Sequence, residues 1–210
     1  MIIYPKFKIH PTIFCLGVSL HTRHSSKEIK DEKEEVMTKS STQFSIVVDG
    51  TKGVCAMGER VGAQNRNEGK IPVISCEGAC IRGEIARLAA HLVAKEEPYR
   101  RSCHGEMFTV PTSAIAGWMN EAQKVVVIDG CFLHCHGRIL KNLIDGNKIA
   151  LFDALSVYNK YTDIFDIDDV PEEERKMVAR QVADKVLADM KQGKRSEENV
   201  AACGCAGCSK

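Results

Sequence analysis

The stretch Val125–Leu143, VVVIDGCFLHCHGRILKNL, restricts the possible folds more than any other part of the chain. Val125 to Ile128 is wholly apolar and β-branched, the pattern of a strand buried on both faces, and Asp129-Gly130 ends it. Beyond it Ile139, Leu140, Leu143 and Ile144 recur at helical spacing. Cys131 and Cys135 therefore fall where a strand's carboxyl end passes into a helix, the place where α/β proteins put their chemistry. A helix start offers unpaired N–H groups and the positive end of the dipole, both of which favour thiolate over thiol. These sulfurs read as ligands or reactive groups rather than core filler.

The same arrangement occurs earlier. Ile71–Ser75 reads as a strand that runs into Cys76-Glu77-Gly78-Ala79-Cys80 and then into a helix with Ile85, Leu88, Ala89, Leu92 and Val93 on its apolar face. Between the two units, Cys103-His104-Gly105-Glu106 follows a Pro98-Tyr99-Arg100-Arg101 turn. Thr112 or Ser113 then caps a helix through Gln123 that carries Ile115, Trp118, Met119 and Ala122 on one side. Lys148–Leu155 predicts a further strand, Tyr158–Asp169 an acidic loop, and Val170–Gln192 the longest helix, opened by Pro171 and ended by Gly193. Upstream, Ser45–Val48 and Val54–Met57 flank Asp49-Gly50-Thr51-Lys52-Gly53 and predict a hairpin, with Cys55 a buried thiol on its second arm and Gly62–Lys70 a polar loop. The expected fold is a small α/β domain: a mostly parallel sheet with flanking helices and cysteines at the carboxyl ends of its strands.

Composition settles what surrounds that domain. Residues 1–43 include the charged run Lys27–Lys39 and read as a disordered or extraneous extension, with Met37 an alternative start. Residues 44–193 make the α/β domain, and 194–210 a flexible tail whose Cys203, Cys205 and Cys208 suit soft ions such as Cu(I) or Zn(II). A net charge of +1 gives no reason to expect nucleic acid or an anionic membrane as partner. Met1–Leu20 has a basic-then-apolar order like a weak signal peptide, but Pro11 interrupts it and no clean cleavage site follows. Ten cysteines on an alternating strand–helix pattern do not fit the small, loop-rich disulfide scaffolds of secreted chains. The compartment therefore reads as reducing cytoplasm, where clustered cysteines mean metal or redox chemistry.

Right-handed crossovers bring the carboxyl ends of parallel strands to one edge, so sulfurs distant in sequence converge. Cys76, Cys80, Cys103, Cys131 and Cys135 are the candidate metal ligands. Four thiolates suit zinc, and cysteine-rich shells also suit an iron–sulfur cluster. His104, His134 and His136, each beside a cysteine, are candidates to complete a mixed shell or to orient ligands. Asp129 reads as a cap for the following turn, and Glu77 and Glu106 as solvated carboxylates. Thiolates at helix starts leave a thiol-redox or persulfide enzyme as the alternative to a metal-binding protein. A dinucleotide fingerprint, a phosphate loop and a nucleophile elbow are all missing from the sequence, so nucleotide chemistry and serine hydrolysis find no support.

Val127-Ile128-Asp129-Gly130-Cys131 followed by Cys135, with Cys76-x-Gly78, Gly83 and the Ile85–Leu92 helix upstream, resembles the DGC-domain family of zinc-binding proteins, named for the Asp-Gly-Cys tripeptide. The resemblance spans Ile71 to Gln192. It implies a small α/β domain in which Cys76, Cys103, Cys131 and Cys135 are the corresponding cysteines and candidate ligands; it implies a metal and no reaction. The chain departs from the pattern at Cys80, where a small or hydroxylic residue is expected, and at His134 and His136, where small or basic residues are usual. The function this implies is cytoplasmic metal binding, structural or metal-handling, with zinc as the ion and no membrane partner.

Overall fold

Strand and helix alternate through most of the chain in a computed structural model that describes residues 45–193. In order the elements are α1 (Ala56–Asn67), β1 (Ile71–Ser75), α2 (Ile81–Val93), β2 (Tyr99–Arg101), α3 (His104–Thr109) and α4 (Ala114–Glu121). They continue with β3 (Val125–Asp129), α5 (Cys135–Leu140), β4 (Ile149–Asp153), α6 (Leu155–Tyr158) and α7 (Glu172–Gln192). The strands form one sheet, all parallel, in the order β2-β1-β3-β4. This is the small α/β fold expected from the sequence. The expected N-terminal extension and the Cys203, Cys205, Cys208 tail lie outside the described residues.

Because side chains alternate along a strand, each strand feeds two cores. Val73, Val126, Ile128, Ala150 and Phe152 face α2 and α7, where Ile85, Ala89, Val178, Val182 and Val186 are buried. Ile74, Val125, Val127, Ile149 and Leu151 face the other way, onto Ile115, Trp118, Met119 and Leu140. The apolar β-branched runs of β1 and β3 are central strands buried on both faces, as their composition requires. Ser113 caps α4 by accepting from Ala116 N, and Trp118 Nε1 donates to Lys70 O at 2.8 Å. Helix α7 ends at Gly193, whose φ of 68° is the left-handed stop that glycine takes without strain.

Four local expectations are corrected. The hairpin at Ser45–Val48 and Val54–Met57 does not form: Ile46 and Val47 are exposed, and the second run enters α1. An isolated two-stranded hairpin is marginal in water, and among the described residues nothing covers these exposed side chains. Cys55 is exposed, not a buried thiol, and caps α1 through Gly58 N at 3.4 Å. The Gly62–Lys70 loop is mostly helix, because Gly62 is a packing residue: a Cβ there would lie 2.5 Å from the Ala114 carbonyl carbon of α4. Finally, the Pro98–Arg101 turn contains β2, paired with β1 from Ile71↔Tyr99 to Val73↔Arg101. With one buried residue, Tyr99, and two arginines it shows no alternation, and its charges suit an exposed edge.

Candidate metal centre

From β1 the chain crosses to β2 on one side, and from β3 to β4 on the other. The loops leaving β1 and β3 therefore part company and open a crevice at their carboxyl ends, the position where open parallel sheets bind ligands. Cys76 stands at one lip and Asp129 at the other. Cys76 N donates to Ile128 O at 2.9 Å, which carries the ladder one residue beyond β1, and Ala154 N does the same to Asp129 O at 2.8 Å.

Close backbone packing shapes the Cys76 loop. Gly78 N donates to Cys76 Sγ at 3.3 Å, and a Cβ on Gly130 would lie 2.9 Å from the Arg82 carbonyl. Glu77 accepts from Ser75 Oγ at 2.8 Å and from Arg101 at 3.2 Å, so it is partnered and not simply solvated.

Asp129 is 1% exposed. Its Oδ1 accepts from His136 N at 3.2 Å and its Oδ2 from Gly137 N at 2.9 Å, so it does cap the start of α5. Position 137 is tightly packed: a Cβ there would lie 2.6 Å from Leu151 Cδ1 and 3.2 Å from Asp129 Oδ2. The same carboxylate faces two imidazoles: His136 Nδ1 is 3.5 Å from Oδ1, and His134 Nδ1 is 4.0 Å from Oδ2. Cys76, Asp129 and His136 each bring one donor atom to within 4.8 Å of the others.

The electrostatics follow from this arrangement. Burial pushes the Cys76 thiol up, but His136 and the Gly78 and Gly130 amides outweigh it and leave the thiol below its ordinary value. Asp129, followed by Cys76, outweighs burial and lifts His136 to about 9. His104, whose ring lies 5.1 Å edge-on from that of His136, is lowered by burial and by the charge of His136.

Of the five cysteines expected to bind metal, Cys76 is the one gathered with other donors into this group. Cys80 and Cys131 are half-buried nearby in the sequence-adjacent loops; Cys103 precedes α3 and Cys135 opens α5, both exposed. His136 was expected only as a candidate to complete a mixed shell or to orient ligands, and Asp129 only as a cap. Their signal was in the sequence, a carboxylate closing a buried strand with histidines two apart just after it, but a capping role explained the aspartate on its own. Glu106 is not the solvated carboxylate expected: it is buried against Gly58, with neither oxygen hydrogen-bonded.

Thiol, carboxylate and imidazole together form a donor set that fits a divalent transition ion. The Nδ1 atoms of His134 and His136 are buried without a hydrogen-bond partner, a condition that a bound ion relieves. Among the described residues no helix is long and apolar enough to cross a membrane. Comparison with curated proteins and with solved structures gives no match. A family model described as the DGC domain matches residues 72–182, which takes in β1 through the first half of α7 and the whole crevice. With Asp129-Gly130-Cys131 closing β3 beside Cys76, the chain belongs to the DGC-domain family.

Proposed function

We propose that this protein binds zinc in the β1–β3 crevice, with the Cys76 thiolate, Asp129 and His136 as the starting ligand set. The observation that carries the reading is the convergence of those three donors within 4.8 Å. One sulfur among nitrogen and oxygen donors suits Zn(II) better than an iron–sulfur cluster, which takes most or all of its ligands as thiolates. Cys80 and Cys131, half-buried, are the thiols we assign to the ion's surroundings, and exposed Cys103 and Cys135 to exchange of the ion with a carrier. Residues 44–193 act as the binding domain in this reading, in a reducing cytoplasm that keeps the thiols free.

Metal analysis of anaerobically purified full-length protein tests it. Stoichiometric zinc in the wild type and its loss in Cys76→Ser are expected. Protein that carries no stoichiometric metal, or a Cys76→Ser variant that keeps its full zinc content, overturns it. A second reading, thiol chemistry at Cys76, is favoured by the lowered pKa of that thiol beside His136. Alkylation of Cys76 at neutral pH without loss of metal would favour it over ligation.

A further inference from the structure

We propose that His134 is the fourth donor of the crevice, so that Cys76, Asp129, His134 and His136 form one mixed four-ligand shell. The inference rests on the metal reading above and extends it. Residues two apart on a regular helix point about 200° away from each other, so His134 and His136 would not face one carboxylate if both were helical. His134 instead stands just before α5 at φ 47° and ψ 47°, a left-handed conformation that a side-chain-bearing residue rarely takes. That backbone turns the His134 ring back to Asp129, with Nδ1 4.0 Å from Oδ2, while the His136 Nδ1 reaches Oδ1 at 3.5 Å. Both oxygens already accept a backbone N–H, and both Nδ1 atoms are buried with no hydrogen bond. Both nitrogens face one 1%-exposed carboxylate; His136 already belongs to the three-donor group, and His134, which lies outside its 4.8 Å limit, joins it by turning its ring inward. Backbone strain of this kind collects at functional sites.

The test is titration of metal-free, full-length protein with Co(II) and Zn(II), comparing wild type with His134→Asn, His134→Gly and Cys76→Ser. Asparagine tolerates the left-handed backbone and glycine relieves it, so both variants are expected to fold, the glycine variant with equal or higher thermal stability. Wild type should give the intense visible absorption of four-coordinate Co(II) with a thiolate charge-transfer band. Both His134 variants should bind about 10- to 100-fold more weakly and lose the four-coordinate intensity while keeping the thiolate band. Wild-type affinity in both variants, or weaker binding with an unchanged Co(II) spectrum, overturns ligation by His134. If wild type takes up neither ion, the metal reading itself falls and this inference with it; if wild type binds and Cys76→Ser does not, that reading stands whatever His134 does.

Discussion

Gly83, in the first turn of α2, is packed so closely on Gly78 that a Cβ at position 83 would overlap the Gly78 carbonyl oxygen. The obstacle is backbone, which cannot swing aside as a side-chain tip can. Gly83→Ala is expected to lower unfolding free energy by about 1–3 kcal/mol and to displace the Cys76 loop, weakening metal uptake. Gly53→Ala, with nothing near its Cβ, is the control and should be neutral. Urea unfolding of both variants checks this; equal stability would mean that the loop yields freely.

Asp129→Asn keeps the shape of the side chain but sets an amide NH2 against either His136 N–H or Gly137 N–H, both of which now donate to carboxylate oxygen. A buried donor left facing a donor costs about 1–3 kcal/mol. The substitution also removes the charge facing the two imidazoles. Loss of stability together with loss of metal binding is the expected result, read by denaturation and metal analysis. A variant that takes up metal as wild type does would remove Asp129 from the site.

In metal-free protein the two edge-on histidines, His104 and His136, should titrate far apart. His136 is lifted to about 9 and His104 is depressed below its ordinary value. Because His136 is raised above its unfolded value of about 6.5, its contribution to stability is fully present below that pH and is lost as pH rises towards about 9. Proton NMR titration checks the order of the two rings. His136→Gln should flatten the decline in stability over the same window; coincident midpoints would contradict the assigned charge arrangement.

Trp118, the single tryptophan, lies fully buried on the sheet face opposite α2 and donates to Lys70 O at 2.8 Å. Its fluorescence therefore reports unfolding of the α4 core. Trp118→Phe gives up a hydrogen bond and some packing, and should cost about 1–3 kcal/mol with no change in metal uptake. A loss of metal uptake at native stability would show a coupling between that face and the crevice.

The large periodicities were legible in the sequence. Val125–Ile128 announced a doubly buried strand, Ile71–Ser75 a second, and Val178, Val182 and Val186 a long packed helix, because burial imposes period two or three to four wherever it acts on several residues. Helix α1 escaped because Gly58 and Gly62, which read as breakers, are there to admit Glu106 and the backbone of α4. Strand β2 escaped because a three-residue edge buries only Tyr99. At the crevice, position at the strand ends was readable for Cys76 and Cys131. That His136 rather than another cysteine would meet Cys76 was not, since it depends on the left-handed turn at His134 and on glycines that let loops pass close together. Such contacts join residues whose local patterns carry no sign of each other.

The hydrogen bond from Cys76 N to Ile128 O spans the two halves of the molecule. A ribosome finishes the Cys76 loop well before Asp129, His134 and His136 exist, so no early fragment of the nascent chain holds more than one of these donors. The crevice comes into being only when β3 pairs beside β1, a long-range contact in the chain. Anything captured there marks a chain whose halves have met.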